Sequence, residues 1–265
     1  RRRLGRGIGK LSVLVNLRDT SAGMRRRSGV VLGCSPRRNL PKWRGDQFRA
    51  ESEVPPQAEI STAGKDVVLL VDTFNTCFEP ENARAALAVL TAAGYSVHAA
   101  KPADKGRPLC CGRTFLSSGM VDEAREEANR MITSLKPFVE KGIPIVGLEP
   151  SCLLTLRDEF PSLIPGDATD ALSQQAFLFE EFLAAEAAKG DLQLKLKAVP
   201  AKRALLHGHC HQKAFAVMSS VQQVLAMVPE LVVETVESSC CGMAGSFGYD
   251  AKHYDTSMAM GELSL

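Results

Sequence analysis

The stretch Val67-Val68-Leu69-Leu70-Val71-Asp72-Thr73-Phe74-Asn75-Thr76-Cys77 reads as a buried strand that delivers a cysteine beyond its carboxyl end. Val67–Val71 is a short apolar run rich in β-branched residues, as in strands covered on both faces. Pro80-Glu81 then opens a helical stretch through Ala93, which Gly94 ends. Tyr95–Ala100 reads as a second strand, and Ser118–Lys141 as a long amphipathic helix stopped by Gly142. Ile143–Leu148 is a third strand, followed by a short helix over Ser151–Phe160. Asp167–Lys189 reads as one long helix or two abutting ones, closed by Gly190.

The succession then restarts. Ala204–His207 is a strand, Gln212–Met227 a helix and Leu231–Glu237 another strand. Strands alternating with helices imply a mostly parallel sheet covered on both faces. Two such runs in tandem imply an internal duplication. The expected fold is α/β, with two tandem Rossmann-like repeats at residues 63–190 and 191–265. The second is truncated, and residues 1–62 form a flexible basic arm or linker.

Cysteine usage supports the duplication. Cys110-Cys111-Gly112 recurs as Cys240-Cys241-Gly242, and each copy has a lone cysteine upstream: Cys77 lies 33 positions before Cys110, and Cys210 lies 30 before Cys240. In the first repeat Cys152 follows Cys111 by 41 positions; its counterpart in the second would fall near 282, past Leu265. We therefore expect the second unit to be cut short.

These thiols lie just after predicted strands, where ligands of open α/β sheets gather and helix N-termini favour anions. Cys77, Cys110, Cys111 and Cys152 can thus converge although far apart in the chain. Adjacent cysteines can face one centre only if the backbone turns sharply, which Gly112 and Gly242 permit. Their amides are also placed to donate to sulfur. All-sulfur ligation favours an iron–sulfur cluster or zinc over hard cations. The spacing is neither the paired C-x-x-C of zinc fingers nor the tight ferredoxin run. Vicinal reactive thiols and inert buried cysteines remain as alternatives.

His207, His209 and His211 surround Cys210 and are placed to ligate metal, relay protons or hydrogen-bond sulfur, or merely to cap strand and loop. Arg113 and Lys213 read as solvated charges, with a cluster's charge as their alternative partner. Cys34 falls outside the repeat and is not expected to be a ligand.

The net charge of +2 averages two unlike parts. Residues 1–60 hold 14 Lys and Arg against 5 Asp and Glu, with Arg1–Arg3 and Arg25–Arg27 as runs, while the remainder holds 18 against 25. The acidic globular part offers no broad basic face for nucleic acid. No run approaches the roughly 18 apolar residues of a membrane span, so any membrane contact would be peripheral. Eight cysteines without a visible secretory signal suit a reducing, cytoplasmic setting.

Segments Val71–Thr76, Arg107–Thr114, Gly147–Cys152, His207–Gln212 and Ser238–Tyr249 resemble the cysteine-rich domain family with the CCG signature. That family includes the cysteine-rich subunit of heterodisulfide reductase and the iron–sulfur subunits of glycolate oxidase, anaerobic glycerol-3-phosphate dehydrogenase and lactate-utilisation systems. The similarity covers about residues 65–265. It looks closest to the C-terminal part of fused FAD-linked D-lactate or D-2-hydroxyacid dehydrogenases. It implies a cluster, of the 4Fe–4S type, held by Cys77, Cys110, Cys111 and Cys152, with Cys210, Cys240 and Cys241 in the second unit. His209, His211, Gly112 and Gly242 would line the cofactor. It further implies FAD on another domain or subunit, and a quinone or other carrier as acceptor. Neither a flavin-binding region nor a C-x-x-C-x-x-C run is visible. Heterodisulfide reductase-like sites end on C-x-x-C, whereas here Glu149-Pro150-Ser151-Cys152 replaces the first thiol by glutamate. Two non-electron-transfer readings stand beside this one: a zinc-bound or metal-free interaction module, and thiol–disulfide chemistry at the vicinal pairs.

Overall fold

Alternating faces of one buried strand organise the first unit. In the computed structural model, which describes residues 12–14, 16–55 and 65–263, β1 (Asp66–Leu70) is buried along its whole length. Side chains alternate across a strand, so Val67 and Leu69 enter one apolar cluster while Val68 and Leu70 enter another. β1 is central in a four-stranded parallel sheet with β2 (Ser96–Ala99), β3 (Ile145–Gly147) and β4 (Ala176–Leu178), in the order β2-β1-β3-β4. Val68 stands opposite His98 on one side and Ile145 on the other.

Helices cover both faces. Following β1, α1 (Thr73–Cys77) leads to α2 (Pro80–Ala92), begun by Pro80 in its first turn. Ala86 and Leu90 of α2 close one face with Phe182 and Leu183. The long α3 (Val121–Val139) carries Ala128, Met131 and Leu135 to the other. There they meet Leu153, Leu154 and Leu156 of α4 (Pro150–Arg157) and Phe160 of α5 (Glu159–Leu163).

Asp167–Lys189, read as one long helix or two abutting ones, is two helices with a strand between them. α6 (Asp167–Gln175) and α7 (Phe179–Lys189) flank the strand β4, which pairs with β3. The apolar run Ala176-Phe177-Leu178 fits either state, and sheet pairing decides it. The second expected helix is also split. α8 (Cys210–Ala214) and α9 (Met218–Ala226) are separated by a kink at Ala216, which has φ 55°.

The second unit contains β5 (Arg203–Leu206) and β6 (Val232–Thr235), a two-stranded parallel sheet. The two units pack through α7 against α9, and Val217 and Val224 join first-unit clusters. Leu205 of β5 is 70% exposed, unlike the equivalent core of β1. A final helix, α10 (Tyr254–Gly261), was not legible from periodicity.

The basic stretch carries more structure than its composition suggested. Among its described residues, Ala22–Leu32 and Ala50–Glu53 are helical, and Cys34 bridges to Asp250. Phe48 and Val54 are buried against Ala83 and Ala99. Arg44 N–H donates to the Cys77 carbonyl (2.9 Å) and Phe48 N–H to that of Thr76 (3.1 Å). The segment thus touches both units. The run Arg1–Arg3 lies outside the described residues.

Two truncations report the asymmetry between the sheets. Phe160→Ala, at a fully buried position, should cost about 3–5 kcal/mol. Leu205→Ala should change stability by no more than about 0.5 kcal/mol. Urea unfolding of both variants measures the difference.

Candidate metal centre

Caps at strand ends place the first-unit thiols. After β1, Asp72 accepts hydrogen bonds from the N–H groups of Phe74 (2.7 Å) and Asn75 (3.1 Å), opening the short helix that ends on Cys77. Its second carboxylate oxygen accepts from the Asn75 amide at 2.6 Å. Burial, opposed by that amide, raises the Asp72 pKa above its ordinary value. After β3, Glu149 caps α4, accepting from Cys152 N–H (2.6 Å) and Ser151 hydroxyl (2.6 Å). Cys152 thereby sits in the first turn of α4, beside the end of β3.

The two Cys-Cys-Gly turns share one geometry. Gly112 has φ 77° and Gly242 φ 74°, the left-handed region that favours glycine. Gly112 N–H lies 3.4 Å from Cys110 Sγ, and Gly242 N–H lies 3.3 Å from Cys240 Sγ. Each glycine also presses its bare Cα against a helix. A Cβ on Gly112 would lie 3.1 Å from the Ala124 carbonyl oxygen, and one on Gly242 would collide with that of Ser257.

Cys110 and Cys152 both act on the Cys111 thiol. The hydrogen bond with Cys110 favours its thiolate, but the bond with Cys152 and burial outweigh it, holding the Cys111 thiol well above the ordinary range. For Cys152, the bond with Cys111 likewise pulls down. Burial and the charges of Glu149 and Asp72 prevail and push it up. Cys77 is buried at the end of α1, the helix that Asp72 caps. Among the described residues, no group of three or more His, Cys, Asp or Glu side chains stands close enough to hold a metal ion. The four-thiol set read from the sequence is therefore not a preformed cage.

In the second unit Cys210 begins α8, and burial followed by the charges of Cys241 and Cys240 raises its pKa. Those effects put the three second-unit thiols in one neighbourhood. His209 caps α8, its Nδ1 accepting from His211 N–H at 3.2 Å. Its ring stacks on His211 with centroids 5.2 Å apart, and burial lowers the pKa of both rings. His207 Nδ1 lies 2.8 Å from the Ser238 hydroxyl. Lys213, read as solvated, donates to the Ser238 carbonyl at 2.7 Å, and Arg113 pairs with Glu159.

The two units also meet where α8 packs on α4. His209 Nε2 stands 3.9 Å from Glu149 Oε1. Because Nδ1 accepts a backbone bond, the neutral ring carries its proton on Nε2, facing the glutamate. In the sequence Glu149 registers only as a missing thiol, although a polar residue before Pro150 is a readable cap signal.

Residues 71–157 match the family model described as CCG, cysteine-rich domain. Over 255 residues the chain is 29% identical to an anaerobic glycerol-3-phosphate dehydrogenase subunit of Escherichia coli K12, covering 94% of this chain and 61% of the relative. Over 217 residues it is 29% identical to D-2-hydroxyglutarate dehydrogenase of Pseudomonas putida, covering 80% of this chain and 20% of that one. Lactate utilization protein A of Oceanobacillus iheyensis is 29% identical over 147 residues, 52% of this chain and 56% of the relative. The chain thus spans about three fifths of the first relative's length and a fifth of the second's. No solved structure matches.

The glycine geometry is open to test. Gly119 has φ 73° but open space where a Cβ would go, so Gly119→Ala should cost only about 1–2 kcal/mol of left-handed strain. Gly242→Ala should add about 1–3 kcal/mol more for the collision with the α10 backbone. Denaturant titration of the two variants isolates the packing contribution.

Proposed function

We propose that this chain is the iron–sulfur electron-transfer part of a flavin-linked 2-hydroxyacid dehydrogenase. The observation that supports the reading is the Cys110-Cys111-Gly112 turn, with a backbone amide aimed at sulfur, together with Cys152 at a capped helix start. Soft thiols in an apolar surround suit an iron–sulfur cluster, and amide N–H groups facing sulfur tune such centres. Cys110, Cys111 and Cys152, with Cys77 from the neighbouring helix, would hold a 4Fe–4S cluster. Cys210, Cys240 and Cys241 form the second-unit set, with His209 and His211 alongside. Relatives named as dehydrogenases or as part of one support the redox reading.

Such a cluster supplies one-electron relay. It would stand between a flavin on another domain or subunit, which takes two electrons and two protons from the 2-hydroxyacid, and a quinone or other carrier. The chain's own residues prepare the environment. Asp72 and Glu149 hold the ends of β1 and β3 in place, and Gly112 and Gly242 make the turns that bring adjacent thiols inward. Glu149 and His209 set the two units against each other. The reading places the chain in the cytoplasm or peripherally on the membrane's inner face; no helix among the described residues is long and apolar enough to cross a membrane.

Thiol–disulfide chemistry is less well supported, because it requires an accessible thiolate, whereas Cys111 is buried and both it and Cys152 are held in the thiol form. Anaerobic incubation with iron and sulfide should yield a chromophore that dithionite bleaches, and Cys111→Ser should abolish it. Uptake of stoichiometric zinc with no iron would overturn the proposal in favour of a zinc-held interaction module.

A further inference from the structure

We infer that Glu127 and Ser257 are repeat-equivalent positioning residues, each fastening its Cys-Cys-Gly turn to the following helix through an arginine clamp, and that the basic N-terminal segment belongs to the second thiol site because it supplies that arginine. Each residue lies fifteen positions after its glycine. Each is polar and only 1% exposed, which requires satisfied partners.

In the first unit Glu127, on α3, pairs with Arg107 at 2.6 Å and Arg130 at 3.0 Å. Arg130 also donates to the Arg107 carbonyl at 2.6 Å and pairs with Asp104 at 2.8 Å. The network rivets the irregular chain before Cys110 to α3. The Glu127 Cβ stands 3.4 Å from where a Cβ on Gly112 would lie. A buried carboxylate held this way gives the loop one position, because leaving it without a guanidinium is costly.

In the second unit the Ser257 hydroxyl, on α10, donates to the Gly242 carbonyl at 2.6 Å and accepts from Arg38 Nη2 at 3.1 Å. The same guanidinium lies against the sulfur of Met243 at 2.9 Å and of Met258 at 3.2 Å. No arginine occurs after Arg203, so the second unit has none of its own to offer near this turn. The N-terminal segment delivers Arg38 by pairing alongside: Ser35 N–H donates to the Tyr249 carbonyl (2.7 Å), and Ala251 N–H to that of Gly33 (2.9 Å). Arg37 pairs with Asp255 at 2.7 Å and lies over the Tyr254 ring.

The test uses the full chain, metal-free and reduced, with N-ethylmaleimide labelling resolved cysteine by cysteine by mass spectrometry. Loss of a hydrogen bond to a charged group should loosen the turn it holds. Arg38→Ala is therefore expected to speed labelling of Cys240 and Cys241 about tenfold, leaving Cys110 and Cys111 unchanged. Glu127→Gln should do the reverse, and Arg38→Lys, which keeps the charge but not the fork, should fall between. Equal acceleration at all four cysteines, or no change at Cys240 and Cys241 in both Arg38 variants, would overturn the inference. The inference deepens the proposed cluster site but is read without metal: failure of the unmodified protein to take up iron would sink that proposal alone. If iron is taken up, Glu127→Gln should weaken its retention about 10–100-fold.

Discussion

A left-handed glycine pressed against a helix backbone is the constraint on which both thiol sites depend. Two consecutive side chains diverge in any regular element, so adjacent thiols can serve one centre only where the chain reverses abruptly. Gly112 and Gly242 make that reversal with nearly the same φ; a Cβ would pack tightly on a helix carbonyl at Gly112 and collide with one at Gly242. The close approach fixes the turn against α3 or α10, and the freed amide points back at the first sulfur of the pair. The helices are thus the floor on which the cysteines stand.

The parallel sheet supplies the remaining geometry. β1 and β3 are neighbours with a common direction, so the segments leaving them arrive side by side. Asp72 and Glu149 cap the helices that follow, and the two carboxylates raise the pKa of Cys152 together with burial. Cys111 and Cys152 are held toward the thiol form. The second unit repeats the plan on a thinner support, with a two-stranded sheet in place of a four-stranded one. Its turn is held partly by Arg38, from a segment more than 200 residues away in sequence.

Sequence alone exposed the parts of this plan governed by short-range rules. The buried strand at Val67–Val71, the helix opened by Pro80 and the glycine turns follow from periodicity and backbone freedom, and each appears where expected. What escaped depends on distant partners. Ala176–Leu178 became a strand through pairing with β3, against the helical period around it. Residues 33–54 looked featureless because their order comes from contacts with Tyr249, Cys77 and Ala83 rather than from any amphipathic pattern. The burial of Glu127 on α3 depends on its pairing with Arg107 and Arg130, which no periodic pattern signals.

The central claim is that the Cys-Cys-Gly turns present their thiols to an iron–sulfur cluster. X-ray absorption at the metal edge, on full chain purified anaerobically without added metal, addresses it most directly. The account predicts iron with an all-sulfur first shell and a further shell of neighbouring iron. A zinc edge at one equivalent with no iron, or iron surrounded by nitrogen and oxygen, would contradict it.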